Sequence, residues 1–329
     1  MRRAVSLAAL GPVPGPNPRV GCVLTDAHGR VIGEGYHRGA GTAHAEVAAL
    51  EDAHGRGEDA RGAVAYVTLE PCAHAGRTGP CAVALIEAGV ARVCYAVADP
   101  GLASGGGAAQ LAEAGVEVEL HQLDDATALN RRWVHAVSKG RPYVIAKWAA
   151  TLDGRTAAAD GTSVWITGEQ ARDHTHQERA VIDALLVGTG TVISDDPQLS
   201  ARPQGVTAPH QPLRVVMGHR ATPAAAVWRD ANAVHCDTHD PHEVMATLTA
   251  REVRTVMVEG GATVMSAFVR AGLVDEIHAY IAPVLLGAGP SVIQDVGIDT
   301  MSHALRSDSV TVTPLGVDTL VTALLTEGT

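Results

Sequence analysis

Residues 68–81 read TLEPCAHAGRTGPC, and residues 42–50 read TAHAEVAAL. Whether these two stretches meet decides the fold of the N-terminal half. A histidine and a glutamate two apart at a helix start mean little alone, since an acid in a first turn simply complements the helix dipole. Cys72, however, follows directly on the apolar run GAVAYVTLEP, and Cys81 follows Pro80, a residue suited to a first helical turn. One imidazole and two thiolates give three ligands to a tetrahedral Zn²⁺ and leave a fourth position for water, the pattern of a catalytic rather than a closed structural site. His44, Cys72 and Cys81 are the expected ligands of one Zn²⁺ per chain. Glu46 would then stand beside that water without binding metal. Zinc lowers the pKa of such a water toward ~7, and a carboxylate there can take its proton and pass it to a departing amine.

Outward from these stretches, strands and helices alternate. RVGCVLTD and VIGEGYH flank the turn AHGR as a hairpin-like pair. A helix follows over about 43–54, then the strand GAVAYVTLEP and the helix GPCAVALIEAGV, stopped at Gly89. RVCYAVADP, AAQLAEAG and VEVEL continue as strand, helix and strand. At the start, Val5, Leu7, Ala8 and Leu10 suit an amphipathic helix ended by Gly11 and Pro12. Residues 126–141 read as a helix and connector broken by SKGRP. A second alternation begins at Pro142, with YVIAKWAATLDG, a helix over 168–180, DALLVGTGTVISDDP and LRVVMGH. A looser region spans 220–245, then come VRTVMVEGG, ATVMSAFVRAG, and the closing strands DEIHAYIAPVLLG and DTLVTALLT. The pattern predicts two α/β domains, residues 1–140 and 141–329.

Composition narrows the function. A length of 329 residues suits two domains with separate cores. The net charge of −11 argues against a broad nucleic-acid surface, though not against one phosphate gripped by one or two residues. Five cysteines, an odd number at irregular spacing, suit a reducing compartment. No apolar run approaches the ~18 residues of a membrane span, and the stretch after Arg2 and Arg3 is short for a secretion signal. A cytoplasmic enzyme without membrane or nucleic-acid partners is the expectation. The glycine turns VGTG and VEGGATVMSAF follow strands and are plausible phosphate seats. They are equally ordinary strand-to-helix turns, and neither matches the dinucleotide fingerprint G-x-G-x-x-G.

The His-x-Glu with paired Pro-Cys resembles zinc deaminases acting on nucleobases, although eight residues separate the two cysteines here instead of two. With that longer spacing the N-terminal half resembles the riboflavin-biosynthesis deaminase branch of the cytidine deaminase superfamily. PGPNPRVGCVL, GEGYHRGAGTAHAE, YVTLEPC and LIEAGVARV match as well. Gly79 stands where relatives carry a proline, a local loop difference, and similar proteins carry about one more helical turn ahead of the position matching Met1. The resemblance implies a diaminopyrimidinone ribosylamino phosphate as substrate. Asn17 would meet the pyrimidine edge, His37 would hold the substrate near the zinc, and Arg77 would take the phosphate, a dianion that guanidinium binds bidentately.

KWAATLDGRTA, SVWITG, GTGTVISDDPQLSAR and VEGGATVMSAFVRAGLVDEIHAYIAPVLLGAG resemble the reductase domain of bifunctional riboflavin-biosynthesis proteins. That domain is similar in fold to dihydrofolate reductase and uses NADPH. The resemblance implies that Ala149, Trp165, Thr191, Asp195 and the turn Gly261, Ala262, Thr263 line the dinucleotide. Ser163, Arg179, Leu199, Arg202 and Glu259 would face the substrate. Lys147 and Glu259 are the catalytic candidates for polarising or protonating the sugar while the cofactor carries the hydride. No basic residue for the 2′-phosphate is legible. The expectation is thus a cytidine-deaminase-like α/β/α domain followed by a dihydrofolate-reductase-like α/β domain, acting on small phosphorylated pyrimidines and, by resemblance, assembled as a homo-oligomer. Three rivals stay open: a nucleoside or tRNA-base deaminase with an accessory domain, a nucleotide-binding regulator with structural zinc, and a chain whose reductase has decayed.

Overall fold

The computed structural model describes residues 1–73, 79–102, 104–307 and 309–325. These divide into two units, Met1–Gly140 and Arg141–Thr329. In the first, helix α1 (Arg2–Ala8) precedes strands β1 (Gly21–Thr25) and β2 (Val31–Tyr36), helix α2 (Ala45–Gly55) and strand β3 (Val64–Val67). Then come α3 (Cys81–Glu87), β4 (Arg92–Tyr95), α4 (Gly107–Glu113), β5 (Glu117–Leu120) and α5 (Asp124–Lys139). The sheet order is β2-β1-β3-β4-β5. The hairpin and β3 are antiparallel, while β3, β4 and β5 run parallel through helical crossovers.

Small residues let the helices approach this sheet closely on both faces. Ala45, Ala49 and Ala53 form a fully buried stripe on α2, spaced one turn apart on one helical face. Opposite them are Gly33 and Gly35, where a Cβ would lie 2.3 Å from the Ala49 carbonyl oxygen and 2.4 Å from that of Ala45. Across the sheet, a Cβ at Gly21 would lie 2.1 Å from the Ala4 carbonyl oxygen of α1. Only glycine fits at these positions. The start of α2, and with it His44 and Glu46, is thereby fixed against the sheet. Helix α5 begins with Asp124 and Asp125 and ends at Gly140 with φ 64°, an acidic first turn and a left-handed glycine stop. Its buried Asn130 donates to the Arg19 carbonyl at 2.7 Å and accepts from the Arg19 amide at 2.9 Å, and Trp133 Nε1 donates to the Pro16 carbonyl at 2.9 Å. These bonds clamp the segment that carries Asn17.

The second unit contains β6 (Tyr143–Thr151), α6 (Glu169–Arg179), β7 (Ala184–Gly188), α7 (Thr189–Asp195), β8 (Leu213–Met217) and β9 (Ala233–Cys236). It continues with α8 (Pro241–Thr249), β10 (Thr255–Val258), α9 (Ala262–Arg270), β11 (Glu276–Ala282), β12 (Ser309–Leu315) and β13 (Asp318–Leu324). The sheet order is β12-β13-β11-β6-β10-β7-β8-β9. The six strands from β11 to β9 are parallel, and the β12–β13 hairpin adds antiparallel to β11. Val144, Leu186, Val215, Val256 and Phe268 anchor a core on one face, and Ile145, Leu185, Val187, Val216 and Met257 one on the other. This is why those strands read as continuous apolar runs.

Two stretches depart from the sequence reading. Residues 220–245 hold an edge strand and most of a helix, which Asp240 caps by accepting from the His242 amide at 2.8 Å with Pro241 in the first turn. The cap signal was present, but β9 is four residues long and polar enough to pass for loop. Strand β12 likewise went unread, because its alternating SVTVTPL is mostly exposed and its pairing with β13 supplies what hydrophobicity does not.

Candidate metal centre and nucleotide cavity

His44 is the residue before α2, Cys72 follows β3 after a short loop, and Cys81 opens α3. One ligand atom from each lies within 4.8 Å of the others. His44 Nδ1 is 3.2 Å from Cys81 Sγ and 3.6 Å from Cys72 Sγ. A tetrahedral zinc at ordinary bond lengths separates its nitrogen and sulfur ligands by about 3.5 Å. The backbone amide of Cys81 also donates to Cys72 Sγ at 3.4 Å. Hydrogen bonding from Cys81, with the His44 imidazole, pulls the Cys72 thiol down to about 4, and Cys72 together with burial pushes the Cys81 thiol up. Two thiols this close compete to ionise, and a divalent cation between them ends the competition. The donor set fits zinc.

Glu46 lies in the first turn of α2, 3% exposed. Burial raises its carboxyl to about 7, and the Cys72 thiolate adds to the rise. A buried acid near neutrality beside a metal group can both accept and return a proton. Above it, Asn17 Nδ2 is 2.9 Å from His37 Nε2, and His37 Nδ1 is 3.2 Å from the Ala43 carbonyl oxygen. A carbonyl only accepts, so Nδ1 carries the proton and Nε2 accepts from Asn17. Burial keeps the His37 ring neutral. The amide oxygen of Asn17 is then the atom left to meet a ligand. Arg77 lies outside the described residues.

The second unit holds a cavity of about 1860 Å³, larger than the ~300–1,000 Å³ of a one-ligand site and able to admit a dinucleotide beside a substrate. Lys147, Ala149, Ser163, Trp165, Arg179, Thr191, Asp195, Leu199, Arg202, Glu259, Gly261 and Ala262 all line it. Thr263 is not on its wall. It lies one position further into α9, exposed, and its hydroxyl accepts from Gln294 Nε2 at 3.5 Å. The wall also includes Arg172 and His176, which the sequence reading passed over. They recur with Arg179 on one face of α6, and the Arg172 guanidinium stacks 4.6 Å from the Trp165 ring. Their i, i+4, i+7 spacing marked a polar functional face.

At the end of β10, Glu259 accepts from Arg179 Nε at 2.9 Å and Nη2 at 2.7 Å, and Lys147 Nζ lies 3.5 Å away. Burial alone would raise the Glu259 carboxyl, but Arg179 and Lys147 outweigh it and hold it down to about 2. Glu259 is therefore a carboxylate at neutral pH, set between two cations. Burial pushes Lys147 the other way, below its ordinary value, despite Glu259.

Comparison with known proteins bears on both units. Residues 1–97 match the cytidine and deoxycytidylate deaminase zinc-binding region, and residues 142–321 match the RibD C-terminal domain. Riboflavin biosynthesis protein RibD of Mycobacterium tuberculosis is 47% identical over 311 residues, covering 93% of this chain and 90% of that protein. RibD of Escherichia coli is 40% identical over 329 residues, covering 88% of each. Among solved structures, Acinetobacter baumannii RibD superposes with a TM-score of 0.88 at 38% identity, over 99% of this chain and 97% of that one. A Thermotoga maritima diaminohydroxyphosphoribosylaminopyrimidine deaminase/5-amino-6-(5-phosphoribosylamino)uracil reductase gives 0.87 at 32%, with the same coverage. With a zinc group in one unit and a dinucleotide-sized cavity in the other, the chain belongs to the RibD family, the bifunctional deaminase–reductases of riboflavin biosynthesis.

Proposed function

We propose that each of the two family activities is carried by the side chains named above. The chain deaminates 2,5-diamino-6-ribosylamino-4(3H)-pyrimidinone 5′-phosphate and then reduces the ribosyl group of 5-amino-6-(5-phosphoribosylamino)uracil to ribityl with NADPH. The observation that carries the first role is the buried Glu46 beside three ligand atoms within 4.8 Å of one another. His44, Cys72 and Cys81 would hold zinc, which when bound supplies a Lewis acid that makes water nucleophilic at neutral pH. Glu46 accepts the proton of the attacking water and returns it to the exocyclic nitrogen, so that C–N breaks, C–O forms and ammonia leaves. Asn17 presents its amide oxygen to the pyrimidine, with His37 holding it. Arg77, outside the described residues, is assigned the phosphate by family resemblance alone.

In the second unit NADPH supplies the hydride when bound. Ala149, Trp165, Thr191, Asp195, Gly261 and Ala262 form its walls, and Ser163, Leu199, Arg202 and Arg179 face the sugar phosphate. Hydride arrives at C1′, the bond from C1′ to the ring oxygen breaks, and Lys147 delivers the proton that oxygen needs. Glu259 keeps Lys147 and Arg179 in place. Five free cysteines support a reducing, cytoplasmic location. The exposed Val310 and Val312 on the edge strand β12 support self-association, which sedimentation of the purified chain measures. Among the described residues no helix is long and apolar enough to cross a membrane. The defining experiment supplies zinc-loaded protein with the diaminopyrimidinone substrate and NADPH, and follows ammonia and NADPH absorbance together. Ammonia release followed by equimolar NADPH oxidation is expected. Ammonia without NADPH loss would remove the reductase assignment.

A further inference from the structure

His44 and Cys81 adjoin helix starts, the first just before α2 and the second opening α3, whereas Cys72 lies in a loop. A loop residue has no helix or sheet ladder to satisfy and fix its backbone, so other partners must do so. Glu70, two residues earlier, gathers them. It is buried, and its carboxylate accepts from three backbone amides. Asp99 donates to one oxygen at 3.2 Å, and Gly106 and Ala108 donate to the other at 3.1 and 3.0 Å. The Glu70 amide in turn donates to the Val97 carbonyl at 2.8 Å. A carboxylate offers acceptors on both oxygens, so every one of the three donors meets a lone pair. A side-chain amide would turn an NH₂ group against one of them.

The three amides belong to the segment that leaves β4 and begins α4, and that segment rests on the ligand loop. A Cβ at Gly107 would lie 1.7 Å from the Pro71 carbonyl oxygen and 3.4 Å from the Cys72 carbonyl carbon. The start of α4 is therefore pressed against the peptide that leads into Cys72, at a separation only glycine allows. The Ala73 amide donates to the Ser104 carbonyl at 3.0 Å, and the Ala82 amide of α3 donates to the Cys72 carbonyl at 3.2 Å. The backbone on both sides of Cys72 is thus tied to the segment that Glu70 collects, and Cys72 itself to the helix that carries Cys81. Between the anchor and the ligand stands Pro71, whose ring fixes φ and removes one more freedom.

We propose that Glu70 is a positioning residue of the metal centre: by gathering the Asp99, Gly106 and Ala108 amides it sets where the Cys72 thiol stands relative to His44 and Cys81. It acts through the backbone of the ligand loop and not by touching the metal. The inference rests on the reading of those three residues as the zinc ligands. Its test compares the full chain with Glu70→Ala and Glu70→Gln. Zinc affinity is measured by chelator competition, and the thiolate-to-metal charge-transfer band is recorded after Co²⁺ replaces Zn²⁺. Glu70→Ala should lower zinc affinity about 10- to 100-fold, the usual effect of losing an outer support of a metal ligand, and should shift and weaken the cobalt band. Glu70→Gln keeps one acceptor oxygen for the Gly106 and Ala108 amides and should lose less of both. A Glu70 that only stabilised the fold would lower the melting temperature of metal-free and zinc-loaded protein alike, while affinity and band stayed as in the unaltered chain. That outcome overturns the proposal. If Glu70→Ala does not fold, Glu70→Gln decides by the same two readings. Failure of the unaltered chain to take up zinc overturns instead the ligand reading beneath it.

Discussion

The two sites of this chain solve the problem of holding charge in opposite ways. Around His44, Cys72 and Cys81 the ionisable groups compete: Cys81 and His44 help Cys72 ionise, the Cys72 thiolate then raises the cost of ionising Cys81, and burial lifts the Glu46 carboxyl to about 7. Around Glu259 they cooperate: two cations fix one carboxylate, which is deeply ionised despite its burial. A site that must move protons is built from closely spaced acids that a metal would hold together. A site whose cofactor brings the hydride needs a settled ion cluster and room, which the 1860 Å³ cavity provides. Competition makes the first site chemically sensitive; cooperation makes the second structurally sensitive.

The sharpest way to break this contrast is Glu46→Gln. Deamination should fall by about a hundred- to ten-thousand-fold, the range of a lost acid–base group. Zinc content should be unchanged, as should reduction of substrate supplied already deaminated. Metal analysis beside the two separate assays reads all three. Deamination at the original rate would mean that the carboxylate carries no proton and that the zinc group is structural.

Glu259→Gln probes the other half and should cost stability as well as reduction. Removing one partner of a buried ion cluster typically costs about 3–5 kcal/mol, and here it would leave Lys147 and Arg179 facing each other uncompensated. The pH dependence follows in sign. The Glu259 carboxyl is held below its unfolded value, so its contribution is full above the ordinary carboxylate range and is lost as pH falls toward about 2. Acid unfolding of the original chain should steepen in that window, and the variant should lack that segment. Identical acid profiles would show that Arg179 and Lys147 do not stabilise the carboxylate.

How much of this was legible follows the same division. The zinc ligands and Glu46 could be read because metal chemistry demands particular residue types, and each falls beside a strand end or helix start that glycine and proline mark. The cavity residues came through family resemblance, since Trp165 or Arg202 alone differs in no way from a core aromatic or a surface cation. Which of Gly261, Ala262 and Thr263 line the cavity was not legible, because side-chain direction in a first helical turn depends on where the helix begins, here after Gly261. The ionisation of Glu259 was not legible because it is set by Arg179, eighty positions away, which no local pattern reveals.

Gly35→Ala tests whether the zinc group owes its geometry to close packing. The added methyl meets the Ala45 carbonyl at the start of α2, and overpacking of this kind costs about 1–3 kcal/mol. The melting transition of the first unit should drop and zinc should be released at lower chelator concentration. NADPH binding in the second unit should not move. Unaltered zinc retention would show that the loops, rather than the helix–sheet contact, hold the ligands.

The smallest effect concerns His37, which is a positioning residue because it acts through Asn17. With Nδ1 donating to the Ala43 carbonyl and Nε2 accepting from Asn17 Nδ2, it fixes which end of the Asn17 amide faces the pyrimidine. His37→Ala frees that amide to rotate, so KM for the diaminopyrimidinone should rise about tenfold, the worth of one oriented hydrogen bond, with kcat changed less. His37→Gln keeps a donor and an acceptor on one side chain and should recover part of the loss. A fall in kcat with KM constant would place the imidazole in the proton path instead, and the division of labour between Glu46 and its neighbours would have to be redrawn.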